Sequence, residues 1–256
     1  MIGAVLAAMA IGTAPGCGLP PVAAGPPPWT VGEALTFDLD LLGSVKAGTL
    51  ELSVARPISA GKVIPLRARA RTDASISTVK SIAAVALSWV DARGLLPERY
   101  REEADEDGVH KVSDARLLPA GQRLAIQYGV AGRERTVSFP RQGPALDAVS
   151  AVYYLRAARL APGDRLCFDM VARGRLWRIE GRMARTTEKV DTPAGKLETI
   201  RLDGQARRAD RLGGAPAELH LWFSTDARRL LVAAVGETDA GPTRATLTEV
   251  RGARRP

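Results

Sequence analysis

Leu35-Thr36-Phe37-Asp38-Leu39-Asp40-Leu41 decides the fold, because apolar and polar residues alternate along it without a break. In an extended chain successive side chains point to opposite faces, so this stretch reads as a strand buried on one face and wet on the other. The pattern recurs at Leu50, Leu52 and Val54, at Leu166, Phe168 and Met170, at Trp177, Ile179 and Met183, and at Leu219, Leu221 and Phe223. Between these runs stand Gly43-Ser44, Ala60-Gly61, Asp107-Gly108, Ala131-Gly132, Arg173-Gly174, Pro193-Ala194-Gly195, Gly213-Gly214 and Ala240-Gly241. Such pairs admit the backbone angles of tight turns, and the spacing predicts roughly a dozen antiparallel strands.

Two stretches break the rhythm. Residues 73–85 are compatible with a short helix capped by Asp73, and residues 147–160 read as a clearer one. In the second, Val149, Val152, Tyr153, Leu155 and Arg156 recur at helical spacing behind Asp147, whose carboxylate can accept from the first free amides. Pro162-Gly163 stops it. With so few helices the strands cannot be joined by parallel crossovers. The expected fold is mainly β: a large curved antiparallel sheet or open barrel-like single domain with one or two short helices.

The chain has 256 residues, 46% hydrophobic and 25% charged. These values fit a folded globular domain and disfavour a disordered chain or one that crosses a membrane many times. The net charge of +8 comes from 36 basic residues, of which only 6 are Lys. Arginine is spread along the chain and is not gathered with stacking aromatics, so no nucleic-acid partner is expected.

The N-terminus points to export. Residues 4–11 form an uninterrupted apolar run, too short for the roughly 20 residues that span a bilayer and of the length of a signal-peptide core. Residues 1–16 are assigned to a signal peptide, although no Lys or Arg opens it. Cys17 follows Ala14-Pro15-Gly16 and resembles the lipidated Cys of a bacterial lipobox, in which Leu is usual where this chain has Ala14. Lipidation is therefore expected at Cys17. Residues 17–28, with five Pro and no charge, read as a tether, and residues 29–256 as a single β-rich domain. Cys167 reads as a small buried hydrophobe, and a disulfide to Cys17 is not expected, because the tether would have to fold back.

The residues also resemble a known family. Trp29-Thr30-Val31-Gly32-Glu33-Ala34-Leu35-Thr36-Phe37 followed by Ala47-Gly48 is similar to the opening of the bacterial exported proteins grouped as domain of unknown function 3108. Trp89-Val90-Asp91 with Leu96-Pro97-Glu98-Arg99-Tyr100 resembles the middle motif, and Asp147 through Arg156 the helix motif. Thr192-Pro193-Ala194-Gly195-Lys196-Leu197-Glu198-Thr199-Ile200 and Leu221-Trp222-Phe223-Ser224-Thr225-Asp226 complete the series. Leu231 stands where the family often has Pro. The resemblance implies an exported β-rich domain and no activity.

Chemistry-bearing motifs are scarce. No nucleophile elbow, phosphate-binding loop or paired His motif occurs. His110 and His220 fall on the polar faces of strands, and the acidic run from Glu102 to Asp107 has no calcium-loop spacing and reads as a hairpin tip. No catalytic residue, metal or cofactor is expected. The binding candidates are Trp222, Asp226, Tyr154, Arg156 and Asp91. Trp222, opposite Leu221 and Phe223, is expected to pack beneath the helix, leaving any ligand groove as a concave apolar surface on the other face of the sheet.

The function expected is that of a non-enzymatic protein of the periplasm, lipid-anchored to the outer membrane. It would bind an amphipathic envelope component, whether lipid or glycan, or a partner protein. The alternative is an envelope glycan- or lipid-acting hydrolase using paired carboxylates such as Asp91 and Asp226.

Overall fold

A computed structural model describes residues 17–41, 45–77, 80–117, 123–141, 143–209, 213–238 and 241–252. The assigned signal peptide, Gly43-Ser44 and Ala240 lie outside the described residues. Among the described residues, fifteen strands form one sheet: β1 (Ala34–Leu41), β2 (Val45–Val54), β3 (Val63–Thr72), β4 (Ile82–Asp91), β5 (Pro97–Glu106), β6 (Val109–Arg116), β7 (Arg123–Val130), β8 (Arg133–Pro140), β9 (Ala145–Asp147), β10 (Arg165–Ala172), β11 (Arg175–Thr192), β12 (Gly195–Arg208), β13 (Ala217–Ser224), β14 (Leu231–Thr238) and β15 (Gly241–Arg251). The helix α1 (Ala148–Ala157) follows β9.

Nearly every strand pairs with its neighbour in sequence. The order runs β8 back to β1, across to β15, and back to β9, so pairing of β1 with β15 joins two meanders. All pairings are antiparallel except the short β9 on β10. The expected alternation is there: Leu35, Phe37, Leu52, Phe168, Ile179 and Phe223 are buried on the inner face.

The sheet curls until its halves face each other but does not close, since β8 and β9 are not paired. Ser88 Oγ on β4 donates to Asp147 Oδ2 on β9 at 2.6 Å. The Arg173 N–H, in the turn between β10 and β11, donates to Glu102 Oε2 on β5 at 2.9 Å. The open edge strand β8 carries Arg133, Glu134 and Arg135, charges that discourage pairing with another sheet. Inside the curl α1 rests on β3, β4, β9 and β10. Trp29 seals it edge-on against Tyr153, ring centres 5.6 Å apart.

Three expectations need correction. The described residues of 73–85 form no helix: there is a turn at 74–77 and β4 begins at Ile82, where pairing with both β3 and β5 overrides the helical leaning of the alanines. The helix is capped by Asp147 as read, with Val149 and Ser150 amides donating to its carboxylate. It ends at Ala157 because Ala158 is already extended and bridges to Val22.

The third correction concerns residues 17–28, which are a strap along the domain and not a free tether. Gly18 bridges to Cys167, the Ala23 N–H donates to the Ala157 carbonyl at 2.8 Å, and the Tyr154 hydroxyl donates to the Pro20 carbonyl at 2.9 Å. A disulfide joins Cys17 to Cys167. The folding back judged unfavourable is sustained by these bonds, and Cys167 is a cross-link where a plain hydrophobe was expected. The same sulfur cannot also form the thioether of a lipid, so lipidation of Cys17 is incompatible with this structure.

Candidate functional site

Four of the five binding candidates, Arg156, Tyr154, Asp91 and Asp226, stand in or beside the elements that meet at one end of the curl, Trp222 is on β13, and each has a structural role. Arg156 is fully buried on α1, where its Nη1 and Nη2 fork onto Glu33 Oε1 and Oε2 at 2.5 and 3.1 Å. Its Nε and Nη2 also donate to the carbonyls of Arg229 and Arg228, both at 3.1 Å. A buried guanidinium with its carboxylate and two carbonyls satisfied is a pin between α1, the start of β1 and the β13–β14 loop. Tyr154 holds the strap.

Asp91 accepts from the Arg93 and Gly94 amides and so fixes the turn between β4 and β5. Asp226 accepts from Ser224, the Arg228 amide and the Arg228 guanidinium in the β13–β14 loop. Burial pushes its carboxyl up, but the bonds from Arg228 and Ser224 outweigh this and hold it below its ordinary range. Each aspartate thus accepts its hydrogen bonds within its own turn.

Trp222 does not lie beneath α1. Leu221 and Phe223 face the core, and Trp222 points outward, its Nε1 donating to Glu188 at 2.7 Å with the Arg201 guanidinium 5.8 Å from its ring centre. The helix lies inside the curl on β3, β4, β9 and β10, so the cover for the outward-facing Trp222 is polar side chains. His220 beside it bonds Asp203 at 2.7 Å and His110 bonds Asp105 at 2.9 Å. Among the described residues no cluster of His, Cys, Asp or Glu could hold a metal ion.

What the fold does build is a mouth at one end of the curl, where the two halves of the sheet approach. Turns β5–β6 and β10–β11 meet there around a cavity of about 610 Å³, lined by Glu102, Glu106, Lys111, Tyr128, Arg173 and Trp177 among others. Among the described residues, core side chains fill the inside of the curl where a concave apolar groove was expected, and this mouth is lined by polar and aromatic groups. Glu102 accepts from the Tyr100 hydroxyl and the Arg173 amide. Glu106 pairs with Lys111 and with Arg173. Burial pushes the Glu106 carboxyl up, but Lys111 and Arg173 outweigh it and hold it low.

Two aromatics complete the mouth, each with a cation above it. The Arg208 guanidinium lies 5.7 Å from the Trp177 ring centre, and that of Arg135 5.5 Å from Tyr128. Gly174 makes the approach possible: a Cβ there would lie 2.3 Å from Tyr128 Cδ2. Sequence reasoning identified the Arg173-Gly174 turn and the inward set of Trp177, but not their meeting with β5, β6 and β7. No local spacing carries that signal.

The family model described as "Protein of unknown function (DUF3108)" matches residues 36–248. The chain belongs to the DUF3108 family. Its motifs are now legible in place: Ala47-Gly48 is a bulge where a Cβ on Gly48 would meet the Arg71 carbonyl at 2.2 Å, and the helix motif supplies the Asp147 cap and the Arg156 pin. This DUF3108 chain shares its fold with a β-barrel-like protein of domain of unknown function DUF1849 from Brucella abortus. The two are 12% identical over 86% of this chain and 97% of that one, with a TM-score of 0.57. An exported-protein candidate with a YmcC-like fold from Bacteroides fragilis aligns at 13% identity over 87% and 96% of the chains, TM-score 0.34. A lipoprotein candidate from Parabacteroides distasonis aligns at 10% identity over the same shares, TM-score 0.36. Both scores are too low to speak to this chain. No curated protein matches it.

Proposed function

We propose that this DUF3108 chain is an exported, non-enzymatic protein of the cell envelope that works in the periplasm and binds an amphipathic envelope component at the mouth of its curled sheet. The mouth carries the reading: two aromatic rings flanked by arginines, beside carboxylates already engaged, offer faces for an apolar or sugar surface and donors for a polar one. Engaged carboxylates favour holding a ligand over cleaving one, since general acid/base work needs a proton free to move. The Cys17–Cys167 bond supports export, because structural disulfides persist in oxidising compartments. In that form the chain resides in the periplasm without a lipid on Cys17.

Native mass spectrometry of protein released from its own envelope tests the reading. Unexplained non-covalent mass on the parent chain, lost from a folded Trp177→Leu variant, is the expected outcome. A bare parent chain, or bound mass that survives the substitution, counts against it.

A further inference from the structure

At the opposite ends of the strands from the mouth lies a second cavity of about 660 Å³, walled by the strap, the C-terminal end of α1, the β4–β5 turn and the β13–β14 loop. Four of its lining residues are arginines, Arg93, Arg156, Arg159 and Arg229, and among the described residues no carboxylate lines it. Arg156 is spoken for by Glu33. Arg93 and Arg159 are exposed.

Arg229 is the unusual member. Its Nε and Nη2 are buried, and no described residue accepts a hydrogen bond from either. These two atoms form the edge of a guanidinium that grips two oxygens of one anion side by side. The residue also sits at φ 45°, a left-handed conformation that a non-glycine adopts at a cost, in a loop tied down by the Arg156 bonds to the 228 and 229 carbonyls. The Arg229 guanidinium is therefore held at the cavity wall, half-buried, next to a second guanidinium and without a counter-charge.

We propose that this cavity is a phosphate-binding site built on Arg229, with Arg93 and Arg159 completing the charge. A small turn about the terminal torsions of Arg229 presents the Nε and Nη2 edge to the cavity, where a phosphate relieves both unmet donors and the repulsion from Arg156. The negative end of α1 is not an obstacle: the Tyr154 and Ala157 carbonyls already accept from the Ala158 and Ala23 amides. The neighbouring carboxylates do not compete, since Asp226 is forked by Arg228 and Asp91 closes its own turn. Val22, the prolines 26–28, Leu95 and Leu160 give the same cavity an apolar side. The phosphate can be free or borne by a lipid headgroup, and the site stands whether or not the mouth binds anything.

The test uses the full oxidised chain and two probes: inorganic phosphate titrated calorimetrically, and vesicles of phosphatidylcholine with or without phosphatidylglycerol in sedimentation. Saturable phosphate binding weakened at least about tenfold by Arg229→Gln assigns a free phosphate, taking one lost charged hydrogen bond at roughly 1.4 kcal/mol or more. Sedimentation that needs phosphatidylglycerol and is lost in Arg229→Gln assigns a headgroup. Should that variant fail to fold, Arg93→Gln/Arg159→Gln, at exposed positions, must weaken the same probe. Binding of neither probe, or binding indifferent to these arginines, overturns the site.

Discussion

Asp147 shows what single residues contribute. Its carboxylate caps α1, accepts from Ser88 across the curl, and is wholly buried. Burial pushes its pKa up to about 6 from 3.8, against the opposing pull of the Ser88, Ser150 and Val149 hydrogen bonds. A carboxyl with a raised folded-state pKa binds its proton more tightly folded than unfolded, so its stabilising contribution is full below pH 4 and is lost as the pH rises through about 6. Relative to Asp147→Asn, which keeps the capping oxygen, the parent chain is therefore expected to gain up to about 3 kcal/mol between pH 7 and pH 4. Parallel urea titrations check this, and a constant difference between the two proteins across that range contradicts it. The cap was legible in the sequence because an Asp before a helical run acts over three residues. The Arg156 pin was not, because its partner Glu33 lies 123 positions away and nothing local separates a buried arginine from a binding one.

Among the elements, the strands and their turns were the most legible part. Asp107-Gly108, Ala131-Gly132 and Arg173-Gly174 all have positive φ at both residues, the geometry that two-residue hairpins of twisted strands require. Sequence reasoning failed where long-range pairing outweighed local preference, as at residues 73–85, and where the outward face of β13 was supposed to need a hydrophobic cover. Trp222 shows that a tryptophan can be accommodated on a polar face by one acceptor and a stacked arginine. At the mouth, the β10–β11 turn depends on glycine twice over, for φ 68° and for contact with the Tyr128 ring. Gly174→Ala should destabilise the domain by about 1–3 kcal/mol, and trimming the ring in Gly174→Ala/Tyr128→Ala should make the added methyl less costly than it is in the parent. Thermal denaturation of the four proteins of this cycle decides it; an unchanged midpoint in Gly174→Ala would mean that the turn does not press on Tyr128.

Across the whole molecule, one sheet is kept curled by a few cross-connections and by a strap that runs back over its helix. Neither the curl nor the strap follows from alternation, which fixes faces and leaves closure open. Five prolines without charge look like a tether until a neighbour offers carbonyls and amides to pair with, and here α1 and the start of β10 do so. The bond from Cys17 to Cys167 then spans 150 residues of sequence. A closed loop of that length removes much of the unfolded chain's freedom, a stabilisation of roughly 4–5 kcal/mol in the chain-entropy model. The same bond supports the proposed placement in an oxidising compartment and cannot coexist with a lipid on that sulfur. Non-reducing peptide mapping by mass spectrometry, on protein taken from its native envelope, tests this directly. A cross-linked pair of peptides carrying Cys17 and Cys167, two hydrogens lighter than their sum, is the result expected; a diacylglyceryl group on Cys17 with a free Cys167 thiol is the result that contradicts it.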